Sequence, residues 1–242
     1  MAQVINTNVA SLFAQQALNK SAKALSIAQQ RLSSGVRINS GADDPTGLVI
    51  ATTYDSQIRG ANQAARNAND GISTAQINDG YHGQILENLQ RLREIAVQAG
   101  GTIGASNQEA ISLVAENARI LSLTTATGSV VVNSNGGTIT GVGTAATLAA
   151  GATATVAQLD TDITAVTTAR ATYGADIATF NSAIAALGAQ SVNTSAAYSR
   201  IIDTDYAVET TNLTRNSILQ QAGSAILAQA NQVPNNVLTL LR

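Results

Sequence analysis

The residues of this chain best suited to chemistry are few, and their spacing does not assemble a reaction centre. His82 is the sole histidine and there is no cysteine. A histidine-based metal cluster is therefore excluded, and a catalytic triad lacks its companions. Asp43-Asp44 could hold a cation, but the same pair standing before Pro45 suits a connector turn or helix cap. Gly141-Val142-Gly143 lacks the third glycine and the strand–helix setting of a dinucleotide fingerprint, and there is no P-loop. Asn193-Thr194-Ser195 and Asn212-Leu213-Thr214 fit the N-glycosylation pattern, yet both fall inside a long helical frame. No acid, base and nucleophile stand in a recognisable arrangement. The chain is read as not an enzyme, with no cofactor.

The elements around these residues make a different kind of molecule. At 242 residues the chain is long enough to bury a core, and 45% of it is hydrophobic. It has no Trp and only two Phe, Phe13 and Phe180, and much of the apolar count is Ala. Aromatic rings normally dominate burial, so here it must come from many small contacts, which suits long helices. Charged residues make up 12% with a net charge of −2, about half the usual share. Nucleic-acid binding would need a clustered basic face and is not expected. No run approaches the 18 apolar residues of a membrane span. The first thirty residues, rich in Asn, Gln, Ser and Ala, do not read as a Sec-type signal peptide.

Helical periodicity is strongest in the C-terminal third. Alternating steps of three and four from Val156 reach Leu159, Ile163, Val166, Arg170, Tyr173, Ile177, Phe180, Ile184 and Leu187. The frame then continues through Ser191, Thr194, Tyr198, Ile201, Asp205, Val208, Asn212, Arg215, Leu219, Ala222, Ile226, Gln229 and Val233. Its polar stretch at 188–200 predicts a break between two helical segments, and Gly174 and Gly188 mark candidate bends. In the N-terminal half, Leu18, Ala22, Leu25, Gln29, Leu32 and Val36 share one register. Ile85, Leu89, Leu92, Ala96, Ala99 and Ile103 share a second, and Ile111, Val114, Ala118 and Leu121 a third. Ser40-Gly41-Ala42-Asp43-Asp44-Pro45 reads as a non-helical connector, and Gly100-Gly101 as a second interruption.

The middle carries no charged residue from Ile120 to Leu159. Within it, residues 129–140 read as a β-hairpin turning at Asn135-Gly136. The expected fold is mainly α: a long antiparallel helical bundle or coiled coil of paired N- and C-terminal segments, with a small β-hairpin near 129–142. Residues 1–30 carry only Lys20 and Lys23, and 206–242 only Glu209, Arg215 and Arg242. Helices so poor in charge are marginal alone, because nucleation is unfavourable and packing must offset it. They are expected to order on neighbouring subunits.

Several long motifs, in order at both ends, resemble those of a known family. Gln30-Arg31-Leu32-Ser33-Ser34-Gly35-Val36-Arg37-Ile38-Asn39-Ser40, followed by Ala42-Asp43-Asp44, closely resembles the N-terminal signature of bacterial flagellin. So do Gln57-Ile58-Arg59-Gly60, the run from Asn62 to Ser73, and the run from Leu89 to Gln98. At the other end, residues 200–207, Ile218-Leu219-Gln220-Gln221-Ala222-Gly223 and the run from Leu227 to Leu238 match as well. Two features depart from the pattern. Many flagellins have Ala-Ala where this chain has Pro45-Thr46, and the usual Arg and Phe-Asn-Gly after the third helix are replaced through Leu121-Ser122-Leu123-Thr124-Thr125.

The resemblance implies a structural subunit that polymerises into the extracellular flagellar filament for swimming. It implies an inner tube of residues 1–41 with 203–242, and a surrounding helical domain of 42–202. Leu18, Leu25, Leu32, Leu219, Ile226 and Val233 are the expected assembly residues on the terminal helices. The implied partners are further copies of the chain, the flagellar type III export apparatus with its chaperone, and the hook-associated and cap proteins. Arg91, Ile95 and Glu116 match positions that, in the family, contact the host Toll-like receptor that senses flagellin. The uncharged stretch 122–158 is a candidate for O-linked sugar. Two alternatives are a hook–filament junction protein and a surface flagellin homologue that binds polysaccharide. The Asn-Gln-Val-Pro ending argues against the first, and the lack of aromatics in the central stretch against the second.

Overall fold

The structure is a computed structural model that describes residues 7–124, 129–131, 137–141, 143 and 145–240, with 129–131, 139–140 and 233–240 described by their backbone alone. Five helices and two short strands follow in order: α1 (Val9–Ser34), α2 (Pro45–Gln98), α3 (Gln108–Leu123), β1 (Ser129–Val131), β2 (Thr138–Thr140), α4 (Val156–Ile202) and α5 (Tyr206–Leu240). The mainly α fold is the one the periodicity predicts.

Each helix end has a local cause. Asn8 caps α1 by accepting from the Ser11 N–H at 3.0 Å. Gly35 closes it in the left-handed region, φ 73°, where its N–H returns to the Arg31 carbonyl. A side chain there would also meet the Tyr206 hydroxyl at 2.9 Å. Asp44 accepts from the Gly47 N–H at 2.8 Å, with Pro45 at the first position of α2, where a missing N–H costs nothing. The Asp43-Asp44 pair thus serves as turn and cap. Positive φ at Gly100 and Gly101 stops α2. Asn107 caps α3 through the Ala110 N–H.

Three expectations need correction. The break predicted at 188–200 is absent, and α4 runs on to Ile202. Packing outweighs the glycine and polar propensities here: Leu187 is buried against Ala61 and Ala64, and Tyr198 packs with Ile38, Ala51 and Ile202. The helix stops instead at Asp203-Thr204-Asp205, where the Asp205 carboxylate accepts from the N–H groups of Ala207 and Val208 and so caps α5. The heptad frame does not survive this interruption. Val208, Leu219 and Ile226 are exposed, and the face that α5 turns to α1 carries Glu209, Gly223 and Ala230. In α3 the buried positions are Ala110, Asn117 and Ile120, one residue ahead of the predicted stripe.

β1 and β2 pair antiparallel, with Ser129 opposite Thr140 and Val131 opposite Thr138. The turn expected at Asn135-Gly136 lies outside the described residues.

The chain divides into two compact units, Met1–Thr53 with Ala196–Arg242, and Tyr54–Ser195. These divisions fall within α2 and α4. In Tyr54–Ser195 the core gathers Ile85, Leu89, Leu92, Ile95 and Ala96 of α2, Ala110 and Ile120 of α3, and Leu159, Val166, Ala169 and Tyr173 of α4. Phe180 is buried on Ala68. A buried amide pair, Asn88 to Asn117 at 2.8 Å, ties α3 to α2. In the other unit the core is small: Ile38, Ala51 and Ile202, with Val36, Leu48, Tyr198 and Ile201 around them. Above it the chain crossings are stitched by backbone. Arg37 N–H donates to the Ile202 carbonyl at 2.6 Å, and Thr204 N–H to Gly35 at 3.0 Å. The Arg37 guanidinium adds two bonds to the Ile201 carbonyl.

Candidate assembly surface

The terminal helices α1 and α5 pack antiparallel, and small side chains let them approach. On α1 the buried positions are Ala14, Ser21 and Ala28. On α5 Gly223 faces Leu18, with room for no more than a tight extra carbon, 3.2 Å from the Leu18 methyl. Polar groups set the register along the pair. Asn8 donates to the Ala230 carbonyl at 2.8 Å, and the Ser11 hydroxyl to the Asn231 carboxamide oxygen at 2.8 Å. At the opposite end Arg31 lies 3.9 Å from Glu209, whose side chain is only 10% exposed.

The outer faces of the pair invert the usual distribution. Val9, Leu12 and Phe13 on α1 are exposed, as are Val208, Ile218, Leu219 and Ile226 on α5; Phe13 is 73% open. A groove of about 420 Å³ runs between the helices, walled by Leu18, Ala24, Leu219, Ala222 and Ile226. Exposed apolar surface of this kind is the usual mark of an interaction site. Charge does not screen it, because Lys20, Lys23, Glu209 and Arg215 are the only charged residues among 9–30 and 206–240. Many of the hydroxyls are also turned inward: Thr210, Thr211 and Thr214 bond to carbonyls of their own helix.

The predicted assembly residues divide into two groups. Leu18, Leu25 and Leu32 are half-buried in α1, while Leu219 and Ile226 stand exposed on α5. Val233 lies in α5, and its side chain falls outside the described residues. Leu12, Phe13 and Ile218 belong to the same surface and were not singled out from the sequence. The signal available was an apolar pair within a stretch free of charge.

Of the predicted receptor-contact residues, Arg91 and Glu116 are on the surface, each engaged in ion pairs. Arg91 bridges Glu109 at 2.7 Å and Glu94 at 2.9 Å, and these contacts raise the guanidinium's affinity for its proton, Glu109 most. Glu116 pairs with Arg119 at 2.6 Å, which holds its carboxyl below the usual range. Ile95 is 5% exposed and serves the core. No group of three or more His, Cys, Asp or Glu could hold a metal among the described residues. Nor is any helix among them long and apolar enough to cross a membrane.

A helical pair with small residues inside and large apolar residues outside defines a subunit built to be completed by other chains. Comparison with known proteins specifies which kind. Residues 5–128 match the bacterial flagellin N-terminal helical region, and residues 156–241 the bacterial flagellin C-terminal helical region. A flagellin of Xenorhabdus nematophila is 37% identical over the whole of both chains. The flagellar filament 33 kDa core protein of Treponema phagedenis is 33% identical, across 99% of this chain and all of its own. A flagellin of Salmonella muenchen is 55% identical over 46% of this chain and 22% of its own length. The chain belongs to the bacterial flagellin family. It is a structural subunit of the flagellar filament.

Proposed function

We propose that this chain polymerises through the outer faces of α1 and α5, which copies of the same chain cover in the filament. The observation that carries the reading is the exposure of Leu12, Phe13, Ile218, Leu219 and Ile226 on helices almost without charge. Apolar area removed from water contributes about 25 cal/mol per Å², so repeating this surface between copies is a sufficient drive for association. Subunit order and filament growth are then linked by mass action. The inner tube is assigned to 1–41 with 203–242, and the surrounding layer to 42–202. The role is structural, without catalysis.

Family membership supports secretion by the flagellar type III export apparatus with a chaperone, and contact with hook-associated and cap proteins at the filament ends. If the host receptor engages the free subunit, Arg91 and Glu116 are the residues it meets, since Ile95 is covered.

Electron microscopy tests the assembly reading directly. Purified chain is heat-dissociated, cooled and seeded with sheared fragments. Long filaments with a central channel, abolished by removal of residues 1–30, are expected. Persistent monomer under every precipitant condition would instead favour a junction protein or a surface homologue.

A further inference from the structure

The Tyr54–Ser195 unit holds a cleft of about 180 Å³ whose walls come from three places in the chain. Leu89 of α2 forms the first wall, and Val114, Asn117, Ala118 and Leu121 of α3 the second. Leu148 and Ala150 form the third. The α3 residues recur at intervals of three and four, so one helix face supplies them all. The third wall is held by side chains distant in sequence. The buried Asp162 carboxylate of α4 accepts from the Ala149 N–H at 3.1 and 3.2 Å and from the Ala150 N–H at 2.9 Å. Just before it, the Ala146 N–H donates to His82 Nε2 at 3.1 Å. The cleft is thus bounded by two helices and a tethered backbone.

Asn117 is the one polar side chain in these walls, and it is 3% exposed. Its oxygen accepts from the Asn88 amide at 2.8 Å, which leaves Asn117 Nδ2 as a donor without a partner among the described residues. A buried donor left unmade is a standing cost, and an acceptor brought to it removes that cost. Water suits the place poorly, because it seeks about two to four polar partners and the other wall side chains are apolar. An apolar cavity of about 150 Å³ stays dry and takes a single six-membered ring.

We propose that this cleft binds a small neutral organic molecule of about six to eight heavy atoms. Its apolar body lies against Leu89, Val114, Leu121 and Leu148, and one acceptor, a ketone, ether or ester oxygen, meets Asn117 Nδ2. A charged ligand does not fit, since no ionised side chain lines the walls and a buried unpaired charge is costly. The site uses no residue of α1 or α5, so it does not depend on the assembly reading.

The probe is cyclohexanone, titrated into methyl- and amide-labelled full-length monomer and followed by NMR. Saturable shifts are expected at the methyls of Leu89, Val114, Leu121 and Leu148, with a Kd of about 0.1–10 mM. The Asn117 side-chain N–H should move downfield with them. Methylenecyclohexane has the same shape and no oxygen, so it should move the methyls and leave that N–H in place. Ala118→Phe puts a ring at an exposed rim position and should weaken cyclohexanone binding at least about tenfold, with the Asn88 and Asn117 signals intact. Shifts that do not saturate or that spread over the unit would overturn the proposal. So would an Asn117 N–H that ignores the ketone or answers the hydrocarbon equally, or an unchanged affinity in folded Ala118→Phe. The same methyls shifting with protein concentration alone would also overturn it, since the cleft would then seat a second copy. All but the Ala118→Phe comparison need no variant to fold.

Discussion

The paired ends and the Tyr54–Ser195 unit use the same helix-on-helix packing in opposite ways. In Tyr54–Ser195 the large side chains are inside: Tyr173, Phe180, Ile85, Leu89, Leu92 and Leu159 are all fully buried. In the α1–α5 pair the buried apolar residues are small, Ala14, Ala28 and Ala230, while Val9, Leu12, Phe13, Ile218, Leu219 and Ile226 stand exposed. Burial scales with the apolar area removed from water. One region therefore buries its large apolar side chains within its own fold, and the other keeps many of them in water as a single chain.

The sharpest way to break the contrast is a charge on the outer face. Ile226→Asp should abolish seeded filament growth in a turbidity assay, because each copy would bury an unpaired carboxylate. Its melting as a monomer should move by less than about 0.5 kcal/mol, the usual limit for an exposed site. Matched losses in both measurements would mean that Ile226 belongs to the monomer's own core.

Phe180→Ala reverses the pattern. Loss of this fully buried ring should destabilise the monomer by about 3–5 kcal/mol, read from the denaturant midpoint. Any loss of assembly should follow that destabilisation and recover on cooling to where the variant is folded. A smaller effect is expected from Asn117→Ala, which leaves the Asn88 amide buried without its partner and should cost about 1–3 kcal/mol.

The smallest effect lies in the connector. Asp43 accepts from the Ser40 N–H, the Ser40 hydroxyl and the Asn39 N–H, and these bonds hold its carboxyl below the ordinary value. A depressed carboxyl stabilises the fold above its unfolded value, near 4, and that contribution is lost as pH falls through the folded value. Asp43→Asn should therefore lower monomer stability slightly at neutral pH and flatten its dependence below about pH 4, as read by acid titration of circular dichroism.

Much of the scaffold was legible from the sequence because its signals are local. The connector before Pro45, the Gly100-Gly101 stop and the α4 frame from Leu159 to Leu187 depend on propensity and spacing that a single chain displays. The failures occurred where competing hydrogen bonds decide. Asp205 reads equally well as a frame position and as a cap, and only the capped N–H groups of Ala207 and Val208 distinguish the two. That ambiguity shifts the α5 register, so spacing alone does not show that Leu219 and Ile226 face outward. Ile95 fits a contact motif by position, yet its place in the core depends on α3, whose stripe was itself misplaced by one residue. The ties from Asp162 to Ala149 and Ala150, and from His82 to Ala146, left almost no trace, since contacts between residues far apart in the chain have no periodicity to read.

The stitched chain crossings beside the small core have a mechanical meaning. Arg37 and Thr204 join the turn after α1 to the turn before α5 through backbone bonds on both sides, with the Arg37 guanidinium fastening a third point. Neither connector can stretch unless the other yields. A pull on one terminal helix is shared by both, because the two connectors bear load together.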